Sequence, residues 1–205
     1  MPARPTPAAA WAVLREGNAR FVAGTMAHPS QSADHRTLVS TDQQPFAVVF
    51  GCSDSRVAAE IIFDQGLGDL FVVRTAGHVL DTTVVGSIEF GVDLLAASLV
   101  VVLGHDRCGA VAAATTALTT GRLPRGFVRA IVDRVIPSIV GMDGLASLDA
   151  AALGREHTRH TVQMLQDYSA GLSSAISAGR CAIVGAEYTL ADGRVTLLES
   201  VGDLA

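Results

Sequence analysis

Residues 46–56 read F-A-V-V-F-G-C-S-D-S-R, an apolar run that ends in a polar cluster. Residues 98–108 read S-L-V-V-V-L-G-H-D-R-C and likewise consist of an apolar run followed by polar residues. Short runs that are apolar throughout are typical of strands buried on both faces of a parallel sheet. The sequence therefore predicts buried parallel strands at residues 46–51 and 98–104, each followed at once by side chains that can bind a metal.

Strands and helices alternate along the rest of the chain. Further strands are predicted at residues 70–74, 181–190 and 194–199, and helices at residues 8–24, 83–97, 109–120, 127–140 and 149–179. This order predicts an α/β fold: a mostly parallel central sheet flanked by helices, with a C-terminal antiparallel edge strand and an N-terminal helical arm. We expect residues 1–205 to form a single domain, in which residues 1–45 are the helical arm and a loop.

The composition is typical of a soluble globular protein, with 49% hydrophobic and 17% charged residues. The net charge of −5 and the lack of a basic run argue against a nucleic-acid partner. The apolar stretches are too short to span a membrane, and Arg15 and Glu16 interrupt the N-terminal one before a signal peptide could form. We therefore expect a cytoplasmic protein, in which three cysteines favour metal binding or catalysis over disulfides.

Cys52, His105 and Cys108 are the candidate metal ligands. Cys52 and His105 each follow a predicted strand by one residue, and the ends of neighbouring strands lie roughly 5 Å apart. Because His105 and Cys108 are three residues apart, both can face one side of a helical turn. Two thiolates and one imidazole leave a fourth position open, and thiolate ligands favour Zn²⁺ over Mg²⁺ or Ca²⁺.

Asp54 and Arg56 leave two states of this site open. Asp54 is two residues from Cys52 and could become the fourth ligand, which would close the site. Alternatively, Arg56 could hold Asp54 in a bidentate pair and leave the fourth position to water. Two thiolates roughly cancel the charge of Zn²⁺, so this zinc would acidify its water less than an all-histidine site would. An Asp–Arg pair that orients the resulting hydroxide would then matter more.

Several other residues are interpreted as structural. We expect His78 to be an ordinary loop histidine rather than a proton-transfer group, and Cys181 to be a core residue. His157 and His160 form an H-x-x-H pattern that we expect on a solvated helix face. One helix carries a stripe that we expect in the core. Its members are Phe127, Val128, Ile131, Val132, Val135, Ile136, Ile139 and Val140.

At the two polar clusters the chain resembles the β-class carbonic anhydrases. The motifs are C-S-D-S-R at 52–56, G-H-D-R-C-G at 104–109 and F-V-V-R at 71–74, supported by G-N-A-R-F at 17–21 and G-A-E-Y-T-L-A-D-G at 185–193. The resemblance implies zinc on the three candidate ligands and an Asp54–Arg56 pair in the active enzyme. It also implies that zinc-bound hydroxide reversibly hydrates carbon dioxide to bicarbonate and a proton.

The resemblance further implies an assembly and a substrate pocket. The assembly would be a homodimer or a dimer of dimers, with N-terminal helices wrapped over the partner. The pocket would place Phe71, Ala76 and Phe90 as an apolar lining that suits CO₂. The amide of Gln43 would lie at its edge, where it could bind a substrate oxygen.

Two other functions are compatible with the same motifs. One keeps the fold and the zinc but acts on a CO₂-like molecule such as CS₂ or COS. The other is a non-catalytic binding or sensor domain stabilised by zinc, in which Asp54 closes the site permanently.

Overall fold

The computed structural model describes residues 4–142 and 149–204. Five strands of these residues form a sheet in the order β2-β1-β3-β4-β5. They are Ala47–Cys52 (β1), Leu70–Thr75 (β2), Leu99–His105 (β3), Ala182–Tyr188 (β4) and Val195–Val201 (β5). Strands β1 to β4 pair in parallel, and β5 pairs with β4 in antiparallel orientation. The predicted α/β class, with its antiparallel C-terminal edge, is confirmed.

Helices cover both faces of the sheet. They are Pro7–Ala23 (α1), Ala33–Leu38 (α2), Ala59–Ile62 (α3), Thr82–Glu89 (α4), Gly109–Thr120 (α5), Val128–Ile139 (α6), Ala150–Tyr168 (α7) and Ala170–Ser177 (α8). Short helical turns follow β2 and α4, at Ala76–His78 and Phe90–Leu94. Within residues 4–142 and 149–204, none of the helices has both the length and the apolar character needed to cross a membrane.

Two predicted helices differ from the structure. The predicted helix 83–97 ends early, because the chain passes from α4 into a π-helical turn in which the Leu95 amide bonds to the Phe90 carbonyl. The predicted helix 149–179 is divided at Ser169. The hydroxyl of this buried serine accepts a hydrogen bond from the Leu172 amide at 3.0 Å and donates one to Glu89 at 2.6 Å. It therefore caps the start of α8, as serine side chains commonly do.

The core lies on both faces of the central strands. On one face Val49 and Val101 pack with residues of α1 and α3, and on the other Val48 and Val100 pack with residues of α4, α7 and α8. All residues of β1 and β3 are buried, as expected for parallel strands covered by helices. Cys181 is buried in the second of these clusters, which confirms its interpretation as a core residue.

The N-terminal helix packs on its own chain. Trp11 and Leu14 of α1 belong to the same cluster as the central strands. The buried Asn18 amide donates to the carbonyls of Ile62 at 3.1 Å and Gly193 at 2.8 Å, and its oxygen accepts from the Val195 amide at 2.9 Å. Helix α1 is therefore tied to the sheet of its own chain, and its contact with a partner stays a prediction.

The stripe predicted on α6 is core only in its middle. Val132, Val135 and Ile139 are buried, but Phe127 is 97% exposed and Val128 is 59% exposed. Helix α6 packs against α5 and α7, and its first turn is exposed. The prediction was wrong for the ends of the stripe, because helical spacing indicates a face but not how much of its length is covered.

Asn18 gives a test of this packing. We expect Asn18→Ala to lower the free energy of unfolding by about 2–4 kcal/mol, because the Val195 amide and the carbonyls of Ile62 and Gly193 lose their hydrogen bonds to this side chain. At fixed protein and zinc concentration, this corresponds to a melting temperature lower by roughly 5–15 °C. Glu16→Ala, at an exposed position of the same helix, is the control and should change little. Equal melting temperatures for the two variants would contradict the proposed anchoring of α1.

Candidate metal centre

The candidate ligands lie where the strand order of the sheet reverses. Strand β1 pairs with β2 on one side and with β3 on the other, so the connections after β1 and β3 leave in different directions. Such a switch point opens a crevice at the carboxyl ends of the strands, where α/β proteins bind ligands. Cys52 is the last residue of β1 and His105 the last of β3, each at the strand end rather than one residue beyond it.

The structure brings the three predicted ligands together. The sulfurs of Cys52 and Cys108 and a ring nitrogen of His105 lie within 4.8 Å of one another, and all three residues are buried. Cys108 reaches this position because the chain turns at Arg107, which has a φ of 53°, before α5 begins at Gly109. The site is thus built from two strand ends and the start of one helix.

His105 has a nitrogen directed into this cluster. Its Nδ1 lies 2.7 Å from the Asp106 carbonyl, which only accepts hydrogen bonds, so Nδ1 carries the proton. Its Nε2 is buried and has no hydrogen-bond partner among the described residues. A ring held through one nitrogen with the other free is the usual arrangement of a metal-bound histidine. The unsatisfied Nε2 therefore fits a metal ligand.

The two cysteines are prepared to bind a cation. The Cys52 sulfur accepts hydrogen bonds from the amides of Gly77 at 3.3 Å and Asp54 at 3.4 Å. A hydrogen bond from Cys108 lowers the pKa of Cys52, against the opposite effect of burial. The same contact and burial raise the pKa of Cys108. One thiolate is therefore formed readily, and the soft donor set of two sulfurs and an imidazole fits Zn²⁺.

Asp54 lies at the edge of this cluster and is held by Arg56. Its Oδ1 accepts from the Arg56 backbone amide and from Nε, both at 2.9 Å, and its Oδ2 accepts from Nη2 at 2.7 Å. These bonds keep the pKa of Asp54 well below its usual range. Its Oδ2 lies 4.0 Å from His105 Nε2. Of the two states left open by the sequence, the structure contains the one in which Asp54 binds Arg56.

Two contributions to the site were not predicted from the sequence. Arg74 donates to the carbonyls of Cys52 at 3.1 Å and Asp54 at 2.7 Å, which fixes the loop that follows β1. Gly77 supplies the amide that reaches the Cys52 sulfur. The F-V-V-R motif contains Arg74, but a motif does not say which atoms a side chain contacts. For Gly77, the only signal was its place in the turn after a strand.

His78 and His157 are both buried, so the prediction of a solvated helix face was wrong for His157. His78 is 1% exposed, and neither of its ring nitrogens has a hydrogen-bond partner among the described residues. His157 is 2% exposed, and its ring centroid lies 4.4 Å from that of His78. Helix α7 packs over the turn Ala76–His78, so the face expected in solvent is inside the protein. His160, three residues later, is only half-buried.

The four predicted pocket residues lie farther apart than the three metal ligands do. Phe71 and Phe90 stack with ring centroids 6.0 Å apart, and Phe90 is 43% exposed. Phe71 pairs with Val48, four positions before Cys52, which places it roughly 13 Å along the strands from the ligands. Exposed Ala76 adjoins Gly77 at the site. Gln43 is exposed in the loop before β1, where its backbone amide donates to the Asp42 carboxylate.

Known proteins resemble the chain over nearly its whole length. Residues 47–195 match the family model described as carbonic anhydrase. Carbonic anhydrase 2 of Mycobacterium tuberculosis is 54% identical over 200 residues, which are 97% of this chain and 96% of the relative. The carbonic anhydrase of Mycolicibacterium smegmatis is 55% identical over the same shares.

Solved structures share the fold at lower sequence identity. The Coccomyxa β-carbonic anhydrase in complex with acetazolamide has a TM-score of 0.72 and 23% identity, and the match covers 91% of this chain and 85% of that one. A tetrameric β-carbonic anhydrase from Sordaria macrospora has a TM-score of 0.73 and 23% identity, with 92% and 95% covered. The sequence relatives and the shared fold agree with each other and with the Cys52, His105 and Cys108 cluster. The chain therefore belongs to the carbonic anhydrase family, in its β class.

Proposed function

We propose that this chain reversibly hydrates carbon dioxide to bicarbonate and a proton, with a zinc ion held by Cys52, His105 and Cys108. The observation that carries the proposal is the buried cluster itself, in which Nε2 of His105 faces two sulfurs without a hydrogen-bond partner among the described residues. When bound, zinc acts as a Lewis acid that makes a hydroxide nucleophile available near neutral pH. Membership of the carbonic anhydrase family favours CO₂ over CS₂ or COS.

Asp54 and Arg56 are proposed to orient the nucleophile. Held by Arg56, the ionised Asp54 carboxylate can only accept hydrogen bonds. It would therefore accept the proton of a hydroxide at the open ligand position and so orient that nucleophile. The same pairing holds Asp54 away from the ligand position, which argues against a domain that Asp54 closes permanently.

The substrate pocket is proposed to be shared between copies of the chain. Ala76 can border the site of its own chain, but Gln43, which precedes β1, and the Phe71 and Phe90 pair lie too far along the strands to do so. Because these aromatic rings are partly exposed on edge strand β2 and the turn after α4, they can line the site of a second copy. We propose a homodimer or a dimer of dimers on this ground. The cytoplasmic location and the single domain of residues 1–205 stay predictions.

Stopped-flow measurement of CO₂ hydration, from mildly acidic to mildly alkaline pH, tests the proposed reaction directly. Metal content is measured on the same samples. We expect one zinc per chain and activity that rises with pH, because the nucleophile is formed by loss of a proton. Full zinc occupancy without activity at any pH would reject the proposal in favour of a zinc-stabilised binding domain.

The third cysteine provides a matched control for the ligands. We expect Cys52→Ser and Cys108→Ser to lose zinc and activity together, because a serine hydroxyl is a poor zinc ligand at neutral pH. Cys181→Ser makes the same chemical change in the core, where the Ala182 carbonyl can accept a hydrogen bond from the new hydroxyl. It should retain both. Zinc retained at full occupancy by either ligand variant, measured by metal analysis, would contradict the assignment.

Asp54 can be tested separately from metal binding. We expect Asp54→Ala to keep its zinc but to lower kcat about 10- to 100-fold, because the nucleophile loses its acceptor while the three ligands remain. Ser55→Ala, at the exposed neighbouring position, is the control. If kcat of Asp54→Ala matched that of wild type, the orienting role would be wrong. If zinc were lost instead, Asp54 would be a ligand.

A further inference from the structure

His157 lies behind the metal site and is fixed by two hydrogen bonds. Its Nε2 is 2.7 Å from the Gly77 carbonyl, and its Nδ1 is 2.8 Å from the Ser138 hydroxyl. A carbonyl only accepts, so Nε2 carries the proton and donates it to Gly77. Burial lowers the pKa of His157 to about 4, so the ring is neutral and its Nδ1 can accept from Ser138. The Ser138 hydroxyl also lies 2.6 Å from the Val135 carbonyl and shares its proton between the two.

Gly77 connects this histidine to a metal ligand. Its carbonyl faces His157 in α7, and its amide donates to the Cys52 sulfur at 3.3 Å. Gly77 has a φ of 66°, and an added Cβ would lie 2.5 Å from that of Ala110, so both conformation and space require glycine here. Two consecutive hydrogen bonds therefore run from His157 through Gly77 to Cys52.

Because glycine is conformationally free, the hydrogen bond from His157 to the Gly77 carbonyl matters for the position of Gly77. Glycine has the largest range of accessible backbone conformations, so a turn that needs it is held in place mainly by its hydrogen bonds and packing. The ring of His78 packs against that of His157 at an interplanar angle of 36°, with the ring centroids 4.4 Å apart. Amides that donate to a thiolate stabilise its negative charge, so the position of the Gly77 amide affects how strongly Cys52 binds a cation.

We propose that His157 is a positioning residue of the zinc site, which holds the Gly77 amide on the Cys52 sulfur through the Gly77 carbonyl. The proposal rests on the proposed function, since it assumes that Cys52 binds zinc. His157 itself contacts none of the reacting groups and acts only through Gly77. The affected property is the electron density on one thiolate ligand, which has spectroscopic and kinetic signatures of its own.

Two substitutions of His157 separate its two hydrogen bonds. The Gln side-chain amide reaches the position of Nε2, so His157→Gln can still donate to the Gly77 carbonyl. The shorter Asn reaches only the position of Nδ1, so His157→Asn can keep the contact with Ser138 but not the one with Gly77. His160→Gln, at the half-buried position three residues later, is the control for a polar change on the same helix.

The measurements are zinc release to an excess of chelator and the thiolate-to-cobalt charge-transfer band of the Co²⁺-substituted protein. We expect His157→Asn to release zinc about 10- to 100-fold faster than wild type and to shift the band. His157→Gln and His160→Gln should resemble wild type in both. A purely structural role predicts lower melting temperatures for Asn and Gln alike with an unchanged band, and that result would overturn the proposal.

A further variant decides the matter if His157→Asn does not fold. Ser138→Ala removes the group that orients the ring but keeps the ring itself, and we expect the band to shift in the same direction as predicted for Asn. An unchanged band would overturn the proposal. If wild-type protein binds zinc and is active, but the His157 and Ser138 variants match it in zinc release and in the band, only the role of His157 is rejected. Wild-type protein that binds no zinc would reject the proposed function and this proposal together.

Discussion

The parallel pairing of β1 with β3 is the constraint on which the metal centre depends. Adjacent parallel strands end side by side, so Cys52 and His105 become neighbours before any loop adds a contact. Because β2 pairs with the other edge of β1, the connections diverge above this point and leave a crevice. Burial of both faces fixes the register, since a slip by one residue would exchange the side chains that face the two helical layers.

Backbone groups then set the electrostatics of the crevice. Two amides donate to the Cys52 sulfur, the Asp106 carbonyl fixes the ring of His105, and Arg74 holds the two carbonyls of the loop between Cys52 and Asp54. Arg56 binds Asp54, whose Oδ2 lies 4.0 Å from Nε2 of His105. The result is a preorganised site with one ready thiolate and a free imidazole nitrogen, which a divalent cation can complete without rearrangement of the strands.

The strands and the ligands could be predicted because both depend on short local patterns. Apolar runs predicted the bounds of all five strands to within two residues, and polar residues at the strand ends predicted the ligands. Contacts between distant segments could not be predicted. The polar sequence around His157 resembles a solvated helix face, yet α7 lies over the turn that contains Gly77. Similarly, spacing alone did not show that Phe127 lies beyond the neighbouring helices.

A crystal structure of the zinc-loaded protein at mildly alkaline pH tests the central claim most directly. The account predicts zinc bound by the sulfurs of Cys52 and Cys108 and by Nε2 of His105, with Asp54 still paired to Arg56. Zinc with Asp54 as its fourth ligand and Arg56 displaced would contradict the catalytic state proposed for this site. A zinc ion bound by other residues would contradict the metal centre as a whole.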